Sequence, residues 1–314
     1  MRRNSLIGFI LLSLFASLTG AAKSKVLYVD SYHEGYAWSD GITEGIKSVL
    51  GDKAEFRIYR MDTKRHTDEA FMTQAVTEVK SIIESWQPDV VIASDDNASK
   101  FVIKPYYSSS KLPFVFCGVN WDASAYGFPT DNICGMEEVT LIEPLLLQLK
   151  KYAKGDKIGF LTVDNITGHR EAENIQSKFN LVLEQRYAKT FEQWKEAFNE
   201  LQVQSDMIIL ENNSGLEGWI DDEAKAFVEA NTKVPTGVIL EHMTPFGLVG
   251  YTKSAAEQGE WAAAAALRIL NGESPKDIGV TQNKKGQLYI NMKVAQKLGV
   301  RFPLAVIKMA SRVD

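Results

Sequence analysis

Polar and aromatic side chains collect at recurring points of this chain, each time just after a short apolar run. After "KVLYV" come Ser31, Tyr32, His33, Tyr36 and Trp38; after "PDVVIA" come Ser94, Asp95, Asp96 and Asn97. After "FVFCGV" come Asn120, Trp121 and Asp122. The second half repeats the pattern with Asp164, Asn165, Thr167 and His169, then Asn212, Asn213 and Ser214, then Glu241 and His242. Carboxylates, amides and hydroxyls of this kind suit hydrogen bonding to a small polar molecule, and the flat rings suit stacking or cation–π contact. The same Ser, Asp, Asn and Thr residues also serve as helix N-caps, so no single one of them marks a site.

Covalent and acid–base chemistry have weaker support. The four histidines, His33, His66, His169 and His242, have no spacing that pairs them with a nucleophile. No glycine-rich phosphate loop, nucleophile elbow or HExxH motif is present. Asp95 and Asp96 are adjacent and leave a turn in different directions. No constellation for catalysis is assembled, which points to a non-enzyme without a cofactor. Two cysteines and four histidines without ligand spacing give no metal site. Cys117 and Cys134 read as buried strand thiols, with a disulfide as the alternative.

The elements that must carry these residues alternate. Strands are expected at 25–31, 54–61, 89–94 and 113–119, with helices at 38–50, 68–86 and 97–107. The helix at 68–86 places Phe71, Val76, Val79 and Ile82/Ile83 on one face. A second series runs through strands at 157–164, 185–190, 206–214, 235–240 and 247–252 and helices at 140–153, 168–184, 191–203, 217–231 and 255–271. Continuous apolar runs such as "PDVVIAS" suit strands buried on both faces of a parallel sheet. About nine strand–helix cycles exceed one small sheet. They fit two doubly wound parallel-sheet α/β lobes joined by a hinge, although the repeat count alone does not exclude a closed barrel. The first lobe is expected over 23–138 plus about 247–275, the second over 139–246 plus about 276–314. Chain crossings are expected near 136–140 and 242–248. In such sheets ligands bind beyond the carboxyl ends of the strands, where the polar clusters fall.

The 314 residues are 45% hydrophobic and 24% charged, with a formal net charge of -5, so a core can form and nucleic acid is disfavoured as a partner. Arg2 and Arg3, the apolar run 6–18 and the small residues of "TGAA" have the order of a secretory signal peptide over residues 1–22. An uncleaved anchor is the alternative. The expected location is periplasmic or extracellular.

Two stretches carry a family resemblance. "VDSYHEGYAWSDGITEGIKSVL" has a strand, a polar–aromatic turn and a first helix. The tail "GQLYINMKVAQKLGVRFP" carries Asn291, Ala295, Leu298, Gly299 and Pro303 in an Asn-x-x-x-Ala-x-x-Leu-Gly-x-x-x-Pro pattern. With the strand–helix order, these resemble type I periplasmic substrate-binding proteins. More narrowly, the chain is similar to the ABC-transporter substrate-binding family that includes aromatic amino-acid binders. It departs from that family at "SDDNAS", where two carboxylates replace a small Thr/Ser-rich turn. "SYHEGYAWSD" also resembles exported sensor modules tied to histidine kinases.

The resemblance implies that a monomer closes on one small ligand and meets a membrane permease, or alternatively a sensor kinase. An enzyme on the same fold is the remaining alternative. The ligand residues expected from the strand-end positions are Ser31, Tyr32, Trp38, Asp95, Asp96, Asn97, Asn120 and Trp121 in the first lobe. In the second they are Asp164, Thr167, Asn212, Asn213 and Glu241. Trp38 and Trp121 would stack on the ligand, and helix starts at 97 and 168 would hold a carboxylate. The acidic side chains would take an ammonium group, as in an amino acid or amine.

Overall fold

The computed structural model describes residues 23–313, so the expected signal segment lies outside the described residues. Among those described, no helix is long and apolar enough to cross a membrane.

The chain opens with β1 (Lys25–Asp30), α1 (Ala37–Leu50), β2 (Glu55–Arg60), α2 (Glu69–Trp86) and β3 (Val90–Ser94). A broken helix follows, with α3 (Asp95–Ala98) and α4 (Lys104–Tyr106) joined by a π-helical stretch. Next come β4 (Phe114–Asn120), β5 (Ile133–Glu138) and α5 (Ile142–Leu149). The second series is β6 (Ile158–Val163), α6 (Ile166–Phe179), β7 (Leu183–Ala188), α7 (Phe191–Gln204), β8 (Met207–Leu210), α8 (Asp221–Asn231), β9 (Thr236–Val238) and β10 (Val249–Lys253). The chain closes with α9 (Ala255–Leu270), α10 (Pro275–Ile278), β11 (Val280–Gln282), β12 (Gly286–Asn291), α11 (Met292–Leu298), α12 (Leu304–Met309) and β13 (Ser311–Val313).

Two sheets result. The first has the order β11-β5-β4-β3-β1-β2 and the second β13-β12-β10-β9-β8-β6-β7. All pairs in the first are parallel; in the second only the β10–β12 pair is antiparallel. Both contain the same doubly wound order, β2-β1-β3-β4-β5 and β7-β6-β8-β9-β10. Each therefore has a switch point, between β1 and β3 and between β6 and β8, where a crevice opens beyond the strand ends. The central strands β3, β6 and β8 are buried along their whole length, and β1 from Val26 onward, as a sheet covered by helices on both faces requires.

Two expected lobe assignments are corrected. The strand expected at 247–252 falls in the segment assigned to the first lobe, but β10 pairs with β9 and β12 in the second sheet. Its Val-Gly-Tyr-Thr run continues the β8–β9 series, and the chain passes to the first sheet only at Ser254, which caps α9. Conversely, β11 lies in the segment expected in the second lobe, but pairs with β5 at the edge of the first sheet. The chain thus crosses three times, at 139–141, at 254 and at 283–285. Asn283 laces two crossings: its Oδ1 accepts from Val139 N at 2.7 Å and its Nδ2 donates to Val139 O at 3.1 Å. The carboxylate of Glu257, in the first turn of α9, accepts from Lys284 N at 3.0 Å and Lys285 N at 2.8 Å.

The pair α1 and α9 covers one face of the first sheet, and glycines set how closely they pack. A Cβ on Gly259 would lie 2.0 Å from the Ile42 carbonyl oxygen, and one on Gly45 would lie 2.3 Å from that of Ala256. Cys117 and Cys134 are free buried thiols on the neighbouring strands β4 and β5. Burial pushes the Cys134 thiol up to about 12, so it remains protonated and unreactive.

Candidate functional site

The strand ends of the two sheets meet at the crossings. Asp95 opens α3 with φ 67°, and Trp121 follows β4 with φ 63°. Left-handed backbone is an outlier for a tryptophan and costs about 1–2 kcal/mol. Such strain persists where surrounding structure holds it, and it concentrates at binding sites. Trp121 is held on both sides: its N–H donates to Glu138 O at 3.0 Å and its carbonyl accepts from Lys178 Nζ at 2.7 Å.

In the first lobe, Trp38 Nε1 donates to Asp95 Oδ1 at 3.1 Å. Asp95 is 2% exposed and its Oδ2 has no hydrogen-bond partner. Burial, then the nearby Glu138 and Asp30, hold its carboxyl well above the usual range. Asp96 accepts from Tyr126 Oη at 2.7 Å and Asn120 Nδ2 at 2.7 Å. Tyr32 lies edge-on to Tyr36 at 5.4 Å, and Lys64 Nζ is 4.9 Å from both ring centres.

In the second lobe, Glu211 follows β8 and accepts a hydrogen bond from Thr162 Oγ1. Burial raises its carboxyl from 4.5 to about 7, with Glu171 adding to the rise. Lys253, the last residue of β10, ion-pairs with Glu138, the last residue of β5, and its Nζ stands 5.8 Å from the Trp38 ring. Burial pushes the Lys253 ammonium toward neutrality, but Glu138, with Glu171 and Glu211, more than offsets that. Glu171 joins the lobes: its Oε2 accepts from Trp121 Nε1 at 2.9 Å and its Oε1 from Thr140 Oγ1 at 2.6 Å. Beside it an interlobe cavity of about 350 Å³ is lined by Trp121, Asp122, Glu137, Asn174, Ser177 and Lys178.

The expected residues divide. Tyr32, Trp38, Asp95, Asp96, Asn120 and Trp121 gather on the first side. Ser31 lies beneath them, its hydroxyl donating to Ser94 O at 2.5 Å and accepting from Ala98 N at 2.8 Å. Asn97 turns away to Thr63 Oγ1 at 2.8 Å. On the second side Thr167 is exposed one helical turn before Glu171, on the same face of α6. Asp164 points instead to His169 Nε2 at 2.9 Å and Lys189 at 3.4 Å, beside the edge strand β7. Asn212 caps its own turn at Ser214 N, 3.0 Å, and meets His242. Asn213 adjoins that turn, its carbonyl accepting from Leu216 N at 3.1 Å. Glu241 accepts from Tyr289 Oη at 3.1 Å, opposite Gly250 rather than the cleft end of β10.

At each expected carboxylate cradle one backbone N–H is already bonded within the chain. The Ala98 N–H is taken by Ser31, and the Gly168 N–H is taken by Asn165 Oδ1 at 2.8 Å. Four residues central to the cluster were missed: Glu138, Glu171, Glu211 and Lys253. Glu138 ends a strand, "ICGMEE", whose charged tail reads as a loop, although Glu137 and Glu138 are 8% and 7% exposed. Glu211 and Lys253 sit directly at strand ends and were within reach of the same positional rule.

Glu211 gives a measurable pH dependence. Its folded pKa lies above its unfolded one, so its stabilising contribution is full below pH 4.5 and is lost as pH rises through 7. Relative to Glu211→Gln, the wild type should lose roughly 3 kcal/mol of unfolding free energy across that window. Urea denaturation of both proteins at pH 5 and pH 8 measures the difference; parallel pH profiles would contradict it.

A family model described as ABC transporter substrate binding protein matches residues 33–314. No curated protein matches the sequence. Among solved structures, a ligand-free, open substrate binding protein with adhesive properties from Clostridium difficile has a TM-score of 0.68 at 16% identity, covering 92% of this chain and 99% of its own. An ABC domain in complex with L-Trp from Streptococcus pneumoniae has a TM-score of 0.57 at 18% identity, covering 93% and 100%. A conserved domain protein from Vibrio cholerae has a TM-score of 0.57 at 18% identity, covering 92% and 99%. These likenesses show the fold, that of type I periplasmic binding proteins.

Proposed function

Because the chain belongs to the ABC transporter substrate binding protein family, we propose that it captures one small organic solute between its lobes, outside the cytoplasm, and hands it unchanged to a membrane permease. The observation that carries this is the meeting of two switch-point crevices across three short crossings, with Trp121, Glu171 and Lys178 already bridging them. Closure would be driven by contacts available only when both lobes touch the solute, so its energy is the differential affinity for the closed form. Trp38, Tyr32 and Trp121 supply flat faces; Asp95, Asp96, Glu171 and Glu211 supply acceptors. The fold neighbour that holds L-Trp in its structure supports a ring-bearing solute of that size.

The test is a tryptophan-fluorescence titration with the solute identified by mass spectrometry in the purified protein. Wild type is expected to respond at micromolar concentration, and Trp38→Ala to bind about tenfold more weakly, as loss of a stacked ring predicts. Equal affinities would remove Trp38 from the site; an altered solute would refute capture itself.

A further inference from the structure

Resting on that capture reading, we infer that the cleft takes an organic cation, a solute carrying an ammonium group and no carboxylate. Glu138 on one side and Glu171 and Glu211 on the other surround the ammonium of Lys253, and Asp95 and Asp96 add their carboxyl groups beside Glu138, while the Lys64 ammonium stands over the Tyr32 and Tyr36 rings. Lys253 is already committed to Glu138. The remaining Lys178 at the rim faces Glu137 at 3.6 Å. Asp95 Oδ2 is the decisive atom: it is buried without a partner, and a buried acceptor in that state costs free energy that a donating ammonium recovers.

The electrostatics disfavour a zwitterion. A solute carboxylate would need a cation or open N–H groups. Asp95 and Asp96 occupy the first turn of α3, and the Gly168 N–H at the start of α6 is already bonded. A carboxylate placed there would meet like charges in a poorly solvated cleft, where repulsion is strong. A bare metal ion is disfavoured too, because among the described residues no three His, Cys, Asp or Glu side chains converge as ligands. What remains is an extended cation whose body lies on aromatic rings. The chain's own ammonium groups already take such positions, Lys253 near Trp38 and Lys64 between Tyr32 and Tyr36.

Calorimetric titration with two matched series tests this: tryptamine, L-tryptophan, tryptophol and indole-3-acetate, and 1,4-diaminobutane, L-ornithine, 1,4-butanediol and succinate. The amine of at least one series is expected to bind at least about 100-fold more tightly than its carboxylate-bearing counterpart. Asp95→Asn and Glu211→Gln, checked for folding by circular dichroism, should each weaken it by about tenfold or more. Tighter binding of a zwitterionic, neutral or anionic member overturns the cation class, as does failure of both amines to bind below 1 mM. Lobe closure around such a non-cationic member would leave the capture reading standing, whereas a solute bound without closure would count against capture instead.

Discussion

Gly259→Ala is expected to destabilise the protein by at least about 3 kcal/mol, for a substitution of one methyl group. The added carbon would lie 2.0 Å from the Ile42 carbonyl oxygen and 2.8 Å from the Ile46 nitrogen, both backbone atoms of α1. No side-chain rotation relieves that contact, so α1 and α9 must separate. That places the effect at the upper end of overpacking costs. The consequence reaches the cleft, because α1 carries Trp38 and Ser39, which bond Asp95 and Asp30. Meanwhile α9 carries Gln258, whose Oε1 accepts from Gly118 N at 2.9 Å. Urea denaturation measures the loss, and a change below 1 kcal/mol would show that the helices do not pack as closely as described.

Lys253→Met is expected to cost about 3–5 kcal/mol at pH 7.5, the range for removing one partner of a buried ion pair. The loss arises from Glu138, left charged, buried and without its cation at a chain crossing. Burial already holds the Glu138 carboxyl above its usual range even with Lys253 beside it. The variant's deficit should therefore shrink at pH 5, where Glu138 can take up a proton. Adding Glu138→Gln to Lys253→Met should restore most of the stability, and the double-mutant cycle isolates the pair. A deficit independent of pH, or no recovery in the double variant, would contradict this account of the pair.

The alternation of buried strands and amphipathic helices was legible because parallel strands write themselves as continuous apolar runs; β1, β3, β4 and β6 are of this kind. β5 was not, since half of "ICGMEE" is glycine or carboxylate and only tertiary contacts with Lys253 and Gln282 explain why Glu137 and Glu138 lie inside. The lobe assignment of β10 depended on pairing partners far along the chain, which local pattern does not encode. Strand-end positions named Trp38, Asp95, Asp96 and Trp121, which the fold brings to one side of the crossings. Asp164, Asn212 and Glu241, named by the same rule, have side chains that meet local neighbours. The rule passed over Glu171, which reaches the cleft from the middle of a helix and is visible only once α6 is set against Trp121.

The central claim is that two lobes close on a solute. Small-angle scattering of the purified protein, stripped of solute and then saturated with the molecule that co-purifies, addresses it most directly. The account predicts a smaller radius of gyration on saturation and recovery of the solute intact; an unchanged profile at saturation would contradict it.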